Sequence, residues 1–370
     1  MSAGLRSFLG SPWARILVPA SLVYGGVAAW RRARLTSRSQ RLSAPVISVG
    51  NITCGGTGKT PVVEMLARSL LARGWRPAIL SRGYKAGPRG KNDEALVIEK
   101  ALPGVPQFAD PDRLRSGRKA LEAGADVLIL DDGFQHVLLQ RDLDMVLVDA
   151  LDPFGGGRVL PAGFLREPLR ALHHAGLIAI TRGSLVPPDL LGILRGILRD
   201  RYPGIPCIRI EAEPVAWEPL VFGAALSGGA GPDLAPGALR GRKVTAFAGI
   251  GNPEAFRRTL LSLGVEVAAW MPFPDHHRYT ARDLARIRQK ARLAGAQAIV
   301  TTAKDAVKIP MAMEASGIPS PGEAGPPWQI LRIASRVVEG AEDLERGMGK
   351  ALARGRRSNP GPGPHKESWP

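Results

Sequence analysis

The sequence predicts an α/β fold with two domains of parallel sheet and helices, preceded by an apolar N-terminal helix. Short apolar runs alternate with helical or loop segments along the first half of the chain, which indicates a parallel sheet covered on both faces. A stretch rich in Gly, Ala and Pro, residues 223–241, interrupts this pattern. A second and shorter series of strands and helices follows it, and predicts a smaller domain.

The chain length is sufficient for these two domains, since 370 residues exceed the usual size of one. The predicted parts are an apolar and basic segment 1–44, a larger domain 45–222, a linker 223–241, a smaller α/β domain 242–354 and a tail 355–370. The tail is expected to be disordered because it is rich in Gly, Pro and charged residues.

The N-terminal segment joins an uncharged run to a cluster of arginines. The run covers residues 16–30, which is shorter than the roughly 20 residues that span a bilayer. The arginines that follow it are Arg31, Arg32, Arg34, Arg38 and Arg41. A signal peptide has its positive charges before the apolar run, so we expect an interfacial helix with arginines on anionic lipid phosphates. A buried core helix is the alternative that the length leaves open.

Apolar runs predict the strands of the larger domain in order. The first is residues 45–49, and the later ones are 77–80, 95–98, 127–130, 145–148 and 177–180. Residues 60–73 have apolar side chains at helical spacing, and Gly74 is expected to end that helix. In the smaller domain the predicted strands are 244–248, 265–270, 298–301 and 329–333, with helices over 253–263 and 281–293.

A Gly-rich turn lies between the first strand and the first helix of the larger domain. Its residues are Thr53, Cys54, Gly55, Gly56, Thr57, Gly58, Lys59 and Thr60. The glycines let backbone N–H groups converge on phosphate oxygens, Lys59 reaches the β- and γ-phosphates, and the Thr60 hydroxyl reaches Mg²⁺. The usual pattern has Gly where this chain has Thr53. The turn predicts a P-loop NTPase-like domain that binds a nucleoside triphosphate with Mg²⁺.

Two adjacent carboxylates follow the strand at residues 127–130. An apolar strand that ends in Asp is typical of the second metal-holding element of P-loop proteins. Asp131 and Asp132 point to opposite sides of the strand end, so one of them is expected to face the metal. Gln135 and His136 come just after and are candidates for hydrogen bonds to a sugar or nucleotide, although a lone histidine is often structural.

Two further places offer acid–base side chains. Asp93 is predicted to stand at the start of a short strand, where a carboxylate can take a proton from an acceptor hydroxyl. Residues 273–279 of the smaller domain are dense in Asp, His, Arg and Tyr, and either His276 or His277 is a candidate, the alternative being an exposed polar loop. Lys304 follows a strand and is a candidate phosphate ligand.

Composition narrows the possible partners. The net charge of +17 suits nucleic acid, an anionic membrane or a phosphorylated substrate. The basic clusters lie beside the apolar run and in the tail, with few aromatics, so no nucleic-acid groove is predicted. Cys54 and Cys207 stand alone, which indicates no zinc site and fits a reducing compartment.

Together, these motifs resemble the tetraacyldisaccharide 4′-kinase family. The resemblance covers about residues 13–335 and rests on the strings SVGNITCGGTGKTP, LSRGYK, DVLILDDGFQH, FPDHHRYT and TTAKDAVK. The P-loop of that family lacks the first glycine, so Thr53 is typical of it. The motifs after Asp131 and around His276 are specific in combination, whereas each alone is weak.

The resemblance implies transfer of the γ-phosphate of ATP to the 4′-hydroxyl of a tetraacyldisaccharide 1-phosphate, giving lipid IVA. It implies two α/β domains joined by a β-ribbon, with Asp93 as the catalytic base paired with His276 and Asn92 standing where the family has Gly. Arg166 and Glu167 are implied substrate contacts. It further implies attachment to the cytoplasmic face of the bacterial inner membrane, and we expect the chain to be a monomer.

Two other protein classes are weighed against this one. A P-loop NTPase of the metal-chaperone or GTPase type explains the P-loop and Asp131, but it does not explain the apolar segment. A GTPase should also have an NKxD motif that recognises the base, and this chain has none in the usual place. A nucleic-acid-binding ATPase explains the positive charge but predicts aromatic residues interleaved with basic ones.

Overall fold

The computed structural model describes residues 16–83, 92–220, 232–309 and 325–358. The chain divides into two compact units. Among the described residues, the larger unit comprises 16–83, Asn92, Ile98–Ala212 and 335–358, and the smaller unit comprises Asp93–Val97, 213–220, 232–309 and 325–334.

The described elements alternate between strands and helices, as the sequence predicts. The strands are β1 (Val46–Asn51), β2 (Pro77–Ser81), β3 (Gln107–Ala109), β4 (Val127–Asp131), β5 (Leu143–Asp149), β6 (Leu177–Thr181), β7 (Cys207–Pro219), β8 (Lys243–Ala248), β9 (Glu266–Pro272), β10 (Ala298–Thr302) and β11 (Trp328–Glu339). The α-helices are α1 (Val18–Thr36), α2 (Lys59–Ala72), α3 (Asp93–Ala101), α4 (Arg113–Glu122), α5 (Pro188–Arg201), α6 (Pro253–Ser262), α7 (Ala281–Leu293), α8 (Ala303–Ala306) and α9 (Ala341–Ser358).

The larger unit is built on parallel strands in the order β3-β2-β4-β1-β5-β6-β7. Strand β1 is completely buried between β4 and β5. Successive side chains of a strand point to opposite faces. Ile47 and Val49 therefore join a core with Val63 and Leu66 of α2, whereas Val46 joins a second core with Ala120 of α4. Helices cover both faces of this sheet, and the carboxyl end of β1 leads into the Gly-rich turn.

The smaller unit has its own parallel strands in the order β11-β10-β8-β9. Val244 and Ala246 of β8 pack with Leu260 of α6 on one face. On the other face Phe247 packs with Ile287 of α7. The predicted α/β character of this part of the chain is confirmed, and β7 and β11 each begin in one unit and end in the other.

The predicted strand at residues 95–98 is wrong, because these residues lie in helix α3. A run of four apolar residues does not distinguish a strand from a helix. The flanking charges do favour a helix, since Asp93 and Glu94 occupy its first turn and Lys100 its last. Within the helix only Ile98 is buried, and it contributes to a core of the larger unit.

The two units differ from the predicted domain limits at several points. Helix α9 belongs to the larger unit rather than to the smaller domain or the tail, because Leu344, Met348 and Ala351 pack in the core that contains Met145 of β5. Residues 223–231 of the predicted linker and residues 359–370 of the predicted tail lie outside the described residues. The described end of the linker contains a short 3-10 helix, Pro236–Leu239.

Helix α1 confirms the predicted N-terminal helix, and the way it packs is unusual. Its buried residues are Ser21, Gly25 and Arg32, which form one face of the helix. The rest of the helix surface exposes apolar side chains, 39–72% of whose surface is accessible, namely Leu22, Val23, Tyr24, Val27 and Trp30. The alternative of a buried core helix is therefore wrong. Among the described residues, no helix has the length and hydropathy required to cross a membrane.

Candidate active site

The Gly-rich turn has the backbone of a phosphate-binding loop. Gly55 and Gly58 have φ of 126° and 85°, in the left-handed region that favours glycine. A side chain placed at either glycine would meet no heavy atom within 4 Å, so the loop has open space beside it. Helix α2 begins at Lys59, which directs its unsatisfied N–H groups toward the loop.

The turn is held from two sides by other loops of the larger unit. The amide of Cys54 donates to the carbonyl of Phe164 at 2.7 Å. The hydroxyl of Thr181 donates to the carbonyl of Thr57 at 3.1 Å, and Arg182 donates to that of Gly56 at 2.7 Å. These contacts leave the hydroxyl of Thr57, which is buried, without a hydrogen-bond partner among the described residues. The backbone of the loop is thus held in place by hydrogen bonds to other parts of the larger unit.

Lys59 lies beside Asp132, one of the two predicted metal carboxylates. Its ammonium donates to Oδ1 of Asn51 at 3.1 Å and lies 3.3 Å from Oδ1 of Asp132. Asp132 adopts a left-handed backbone with φ of 57° and also accepts from Arg166 at 2.8 Å. Burial alone would raise the pKa of Asp132, but the charges of Lys59 and Arg166 outweigh it and lower that pKa. Asp132 is consequently ionised and close to where Lys59 would meet phosphate.

Asp131 occupies a different environment from its neighbour, as the alternation along a strand requires. It is the last residue of β4, pairs in register with Val49 and is 6% exposed. Among the described residues no group of three or more His, Cys, Asp and Glu side chains is arranged to hold a metal ion. Mg²⁺ usually needs only one or two carboxylates together with substrate phosphates and water. The donor set of Thr60, Asp131 and Asp132 fits that requirement.

Gln135 and His136 lie next to this cluster. Gln135 donates to the carbonyl of Asn51 at 2.9 Å and accepts from Arg166 at 3.2 Å. Burial, followed by the charges of Arg113 and Arg141, lowers the pKa of His136 to about 4. Its ring is therefore neutral near pH 7, and its buried Nε2 has no hydrogen-bond partner among the described residues.

Glu167 makes a contact that the sequence does not reveal. Its carboxylate binds the guanidinium of Arg32 in helix α1, with a shortest distance of 2.6 Å, and both side chains are under 10% exposed. Arg32 also donates to the carbonyl of Phe134 at 2.7 Å. The expectation that Arg32 lies on lipid phosphates is therefore wrong, because its charge is needed to balance a buried carboxylate. Arg41 likewise pairs with Asp142, at 2.9 Å.

The smaller unit brings together the two predicted acid–base residues, although 183 positions separate them in sequence. Nδ1 of His276 lies 3.1 Å from Oδ2 of Asp93. His276 has φ of 60°, and its amide donates to the carbonyl of Gly249 at 3.2 Å. The left-handed turn resolves the choice between the adjacent histidines, because only His276 meets Asp93.

His277 and Lys304 take part in other contacts. The ring of His277 stacks on Phe273 with centroids 4.7 Å apart, and its Nε2 lies 3.1 Å from a carboxylate oxygen of Asp283. Lys304 lies 2.6 Å from Glu94 in an ion pair. These contacts give His277 a structural role in shaping the loop and hold Lys304 against the first turn of α3.

Sequence reasoning did not identify Asn51, Arg182 or Arg32 as parts of this site. Asn51 binds both Lys59 and the carbonyl of Thr53, and its position directly before the turn was the available signal. Arg182 follows a predicted strand end, which is where sites form in parallel sheets. Arg32 carried no such signal, because its partner Glu167 is 135 residues away.

The chain matches a known family and several known proteins. Over residues 13–346 it matches the family LpxK, tetraacyldisaccharide-1-P 4′-kinase. A tetraacyldisaccharide 4′-kinase of Anaeromyxobacter sp. (strain K) is 40% identical over 339 residues, covering 87% of this chain and 85% of the relative. The corresponding protein of Syntrophus aciditrophicus (strain SB) is 42% identical over 334 residues, covering 81% and 85%.

A solved structure agrees with this match. The "apo" form of LpxK from Aquifex aeolicus in complex with ATP aligns with a TM-score of 0.70 and 29% identity, over 92% of this chain and 99% of that chain. The resemblance inferred from the motifs is confirmed, and the chain belongs to the tetraacyldisaccharide-1-P 4′-kinase family.

Proposed function

We propose that this chain transfers the γ-phosphate of ATP to the 4′-hydroxyl of a tetraacyldisaccharide 1-phosphate, forming lipid IVA. A new O–P bond forms at the sugar hydroxyl as the bond between the γ-phosphorus and the β–γ bridging oxygen breaks. ADP leaves with that oxygen, and the hydroxyl proton passes to a base.

The single observation that carries the proposal is the pairing of Asp93 with His276 at 3.1 Å. A kinase for an alcohol acceptor needs a carboxylate that takes the hydroxyl proton, whereas a nucleotide switch does not. Asp93 is that base in the proposal, and His276 orients its carboxylate. Their side chains are 23% and 46% exposed, so an acceptor can reach them.

The P-loop supplies the donor side of the reaction. Residues 53–60 would hold the triphosphate, with backbone N–H groups and the Lys59 ammonium on the β- and γ-phosphates. Lys59 would exchange its contact with Asp132 for phosphate. Thr60, Asp131 and Asp132 would hold Mg²⁺, which when bound offsets the negative charge on the triphosphate. Of the two carboxylates, Asp132 is the one that already lies beside Lys59.

Four residues are proposed to serve the acceptor sugar. Gln135 and His136 are proposed to offer neutral hydrogen-bonding groups, and the lowered pKa of His136, about 4, keeps its ring neutral near pH 7. Arg166 offers a cation that is linked to Asp132. Glu167 lies next to Arg166, and its bond to Arg32 ties the acceptor side to helix α1.

Helix α1 is proposed to lie in the headgroup layer of the cytoplasmic face of the bacterial inner membrane. Its exposed apolar face is what an interfacial helix presents to acyl chains. Arg31, Arg34 and Arg38 are proposed to reach anionic lipid phosphates from the same helix and the turn after it. The acyl chains of the acceptor would remain in the bilayer beside a monomeric enzyme.

The test is phosphoryl transfer from γ-³²P-labelled ATP to purified tetraacyldisaccharide 1-phosphate in mixed micelles. The proposal expects a labelled lipid that depends on both substrates and on Mg²⁺. Labelled inorganic phosphate without labelled lipid, at the same rate with and without acceptor, would instead favour a P-loop NTPase of the metal-chaperone or GTPase type.

A further inference from the structure

A buried ion pair lies directly behind the Asp93–His276 pair in the smaller unit. The ammonium of Lys308 is 3.8 Å from Oδ2 of Asp93 and 2.9 Å from Oδ1 of Asp305. The Lys308 side chain is 9% exposed and that of Asp305 is completely buried. Burial of a charge is costly unless an opposite charge compensates it. Each charge of this buried pair therefore depends on the other.

Asp305 supports both members of the acid–base pair. Its Oδ1 is the partner of Lys308, whereas its Oδ2 accepts from the amide of Gly249 at 3.0 Å and from the hydroxyl of Thr302 at 2.8 Å. The carbonyl of the same Gly249 accepts from the amide of His276 at 3.2 Å. One carboxylate therefore fixes the cation beside Asp93 and the backbone that carries His276.

The close approach at Gly249 makes this support rigid. A Cβ at Gly249 would lie 3.1 Å from Oδ1 of Asp305 and 3.1 Å from the hydroxyl oxygen of Tyr279, which leaves little room for a side chain. Burial, together with the charge of Asp305, raises the pKa of Tyr279, so the phenol stays neutral. Lys308 lies 5.5 Å from the centroid of that ring.

Within the described part of the smaller unit, the cations that face the Asp93 carboxylate are Lys308 and, when protonated, His276. Opposite charges about 4 Å apart near a protein surface attract each other, so Lys308 is placed to fix the orientation of the Asp93 carboxylate. Proton transfer from a hydroxyl requires a carboxylate that is oriented toward it.

We infer that Lys308 is a positioning residue for the kinase reaction, holding the carboxylate of Asp93 in its direction toward the acceptor, with Asp305 as its support. The inference rests on the proposed function, in which Asp93 is the base. In this inference Lys308 acts on the reaction through its contact with Asp93. The motif TTAKDAVK contains both Asp305 and Lys308, so their spacing of three residues places the ion pair on one helical turn.

The test is a double-mutant cycle on the full chain with the phosphoryl-transfer assay. Lys308→Met is expected to lower kcat about 100-fold, as misplacement of a catalytic group by about 1 Å does, with ATP affinity unchanged. In an Asp93→Asn background the same substitution should change kcat by less than about threefold, since it acts through Asp93. Lys290→Met, which removes an exposed lysine from α7, is the charge-matched control and should leave kcat unchanged.

Two further variants keep the inference falsifiable if Lys308→Met does not fold. Asp305→Asn combined with Lys308→Met removes both buried charges and keeps the shape of the pair, and its kcat should fall as far. Lys308→Arg keeps the cation and should retain more activity than Lys308→Met.

The outcomes separate this inference from the function on which it rests. A folded Lys308→Met or double-neutral variant with wild-type kcat would overturn the inference. Equal losses of kcat on adding Lys308→Met to the wild type and to the Asp93→Asn variant would overturn it as well. A wild-type chain that transfers no phosphate to the lipid would instead overturn the proposed function.

Discussion

Arg32→Met is expected to loosen helix α1 from the larger unit. In the wild type the guanidinium of Arg32 makes three hydrogen bonds to Glu167, at 2.6–3.2 Å, and one to the carbonyl of Phe134 at 2.7 Å. It also lies 4.4 Å from the centroid of the Phe134 ring. Methionine replaces the aliphatic stem of the arginine as far as Nε, so the substitution removes the charge and the donors while it keeps the packing of that stem.

The expected loss of stability follows from the carboxylate that remains after the substitution. Glu167 is 6% exposed and would keep a buried carboxylate without its cation. Removing one partner of a buried pair costs about 3–5 kcal/mol, which is a large fraction of the stability of an ordinary domain. At about 2 °C per kcal/mol the unfolding temperature of the larger unit should fall by about 6–10 °C.

The assay is thermal unfolding together with hydrogen exchange of the α1 amides. Arg34→Met is the matched control, since Arg34 belongs to the same helix and its guanidinium lies 5.4 Å from the centroid of the exposed Trp30 ring, and it should cost less than about 1 kcal/mol. Adding Glu167→Gln to Arg32→Met should restore part of the loss, because no buried charge is then left unpaired. Equal unfolding temperatures and equal α1 exchange for Arg32→Met and Arg34→Met would refute the reasoning.

Three further predictions address the other parts of the molecule. The pKa of His136 is lowered to about 4, below its ordinary value of about 6.5, so the folded state resists protonation. The contribution of the neutral ring to stability is therefore complete above pH 6.5 and is lost as the pH falls toward 4. His136→Asn should make the free energy of unfolding depend less on pH in that window, and an equal pH dependence in the wild type and the variant would contradict this. Serine at Leu22, Val27 and Trp30 together should weaken flotation with anionic vesicles at least about tenfold at unchanged unfolding temperature, since these side chains are more than half exposed, whereas Leu293→Ser on α7 should not. Lys59→Met should lower kcat about 100- to 1000-fold through loss of charge stabilisation, and a wild-type rate would remove Lys59 from the donor site.

The sheet was predictable because its strands carry apolar runs that are buried on both sides. Strands β1, β4, β5 and β6 are almost wholly buried, and such strands read as continuous apolar sequence. The run at residues 95–98 has the same appearance but lies in α3, since only Ile98 reaches a core. A run of four apolar residues is too short to show whether the hydrophobic pattern has the period of a helix or of a strand.

Local motifs could likewise be predicted from the sequence, whereas contacts between residues far apart in the chain could not. The P-loop is a single short segment, so its spacing specifies its geometry. The contact of Asp93 with His276 came only from resemblance to a family, because residues 183 positions apart carry no shared local pattern. The bond between Arg32 and Glu167 was missed for the same reason, and the cluster of arginines suggested only lipid.

Helix α9 shows why a domain limit is difficult to place from sequence. Its residues follow the last strand of the smaller domain along the chain, so sequence order assigns them there. Leu344 and Met348 instead complete the core beneath β5 of the larger unit. The hydrophobic spacing of a helix predicts that one face is buried but does not identify the sheet that buries it.

The central claim is that this kinase deprotonates its acceptor hydroxyl through Asp93. The most direct measurement is kcat for phosphoryl transfer to tetraacyldisaccharide 1-phosphate by Asp93→Asn, alongside ATP affinity and with Glu254→Gln, an exposed carboxylate of α6, as the control. The account predicts that Asp93→Asn loses about 100- to 10,000-fold in kcat with ATP affinity unchanged, and that the control retains its rate. A wild-type kcat in folded Asp93→Asn would contradict the account.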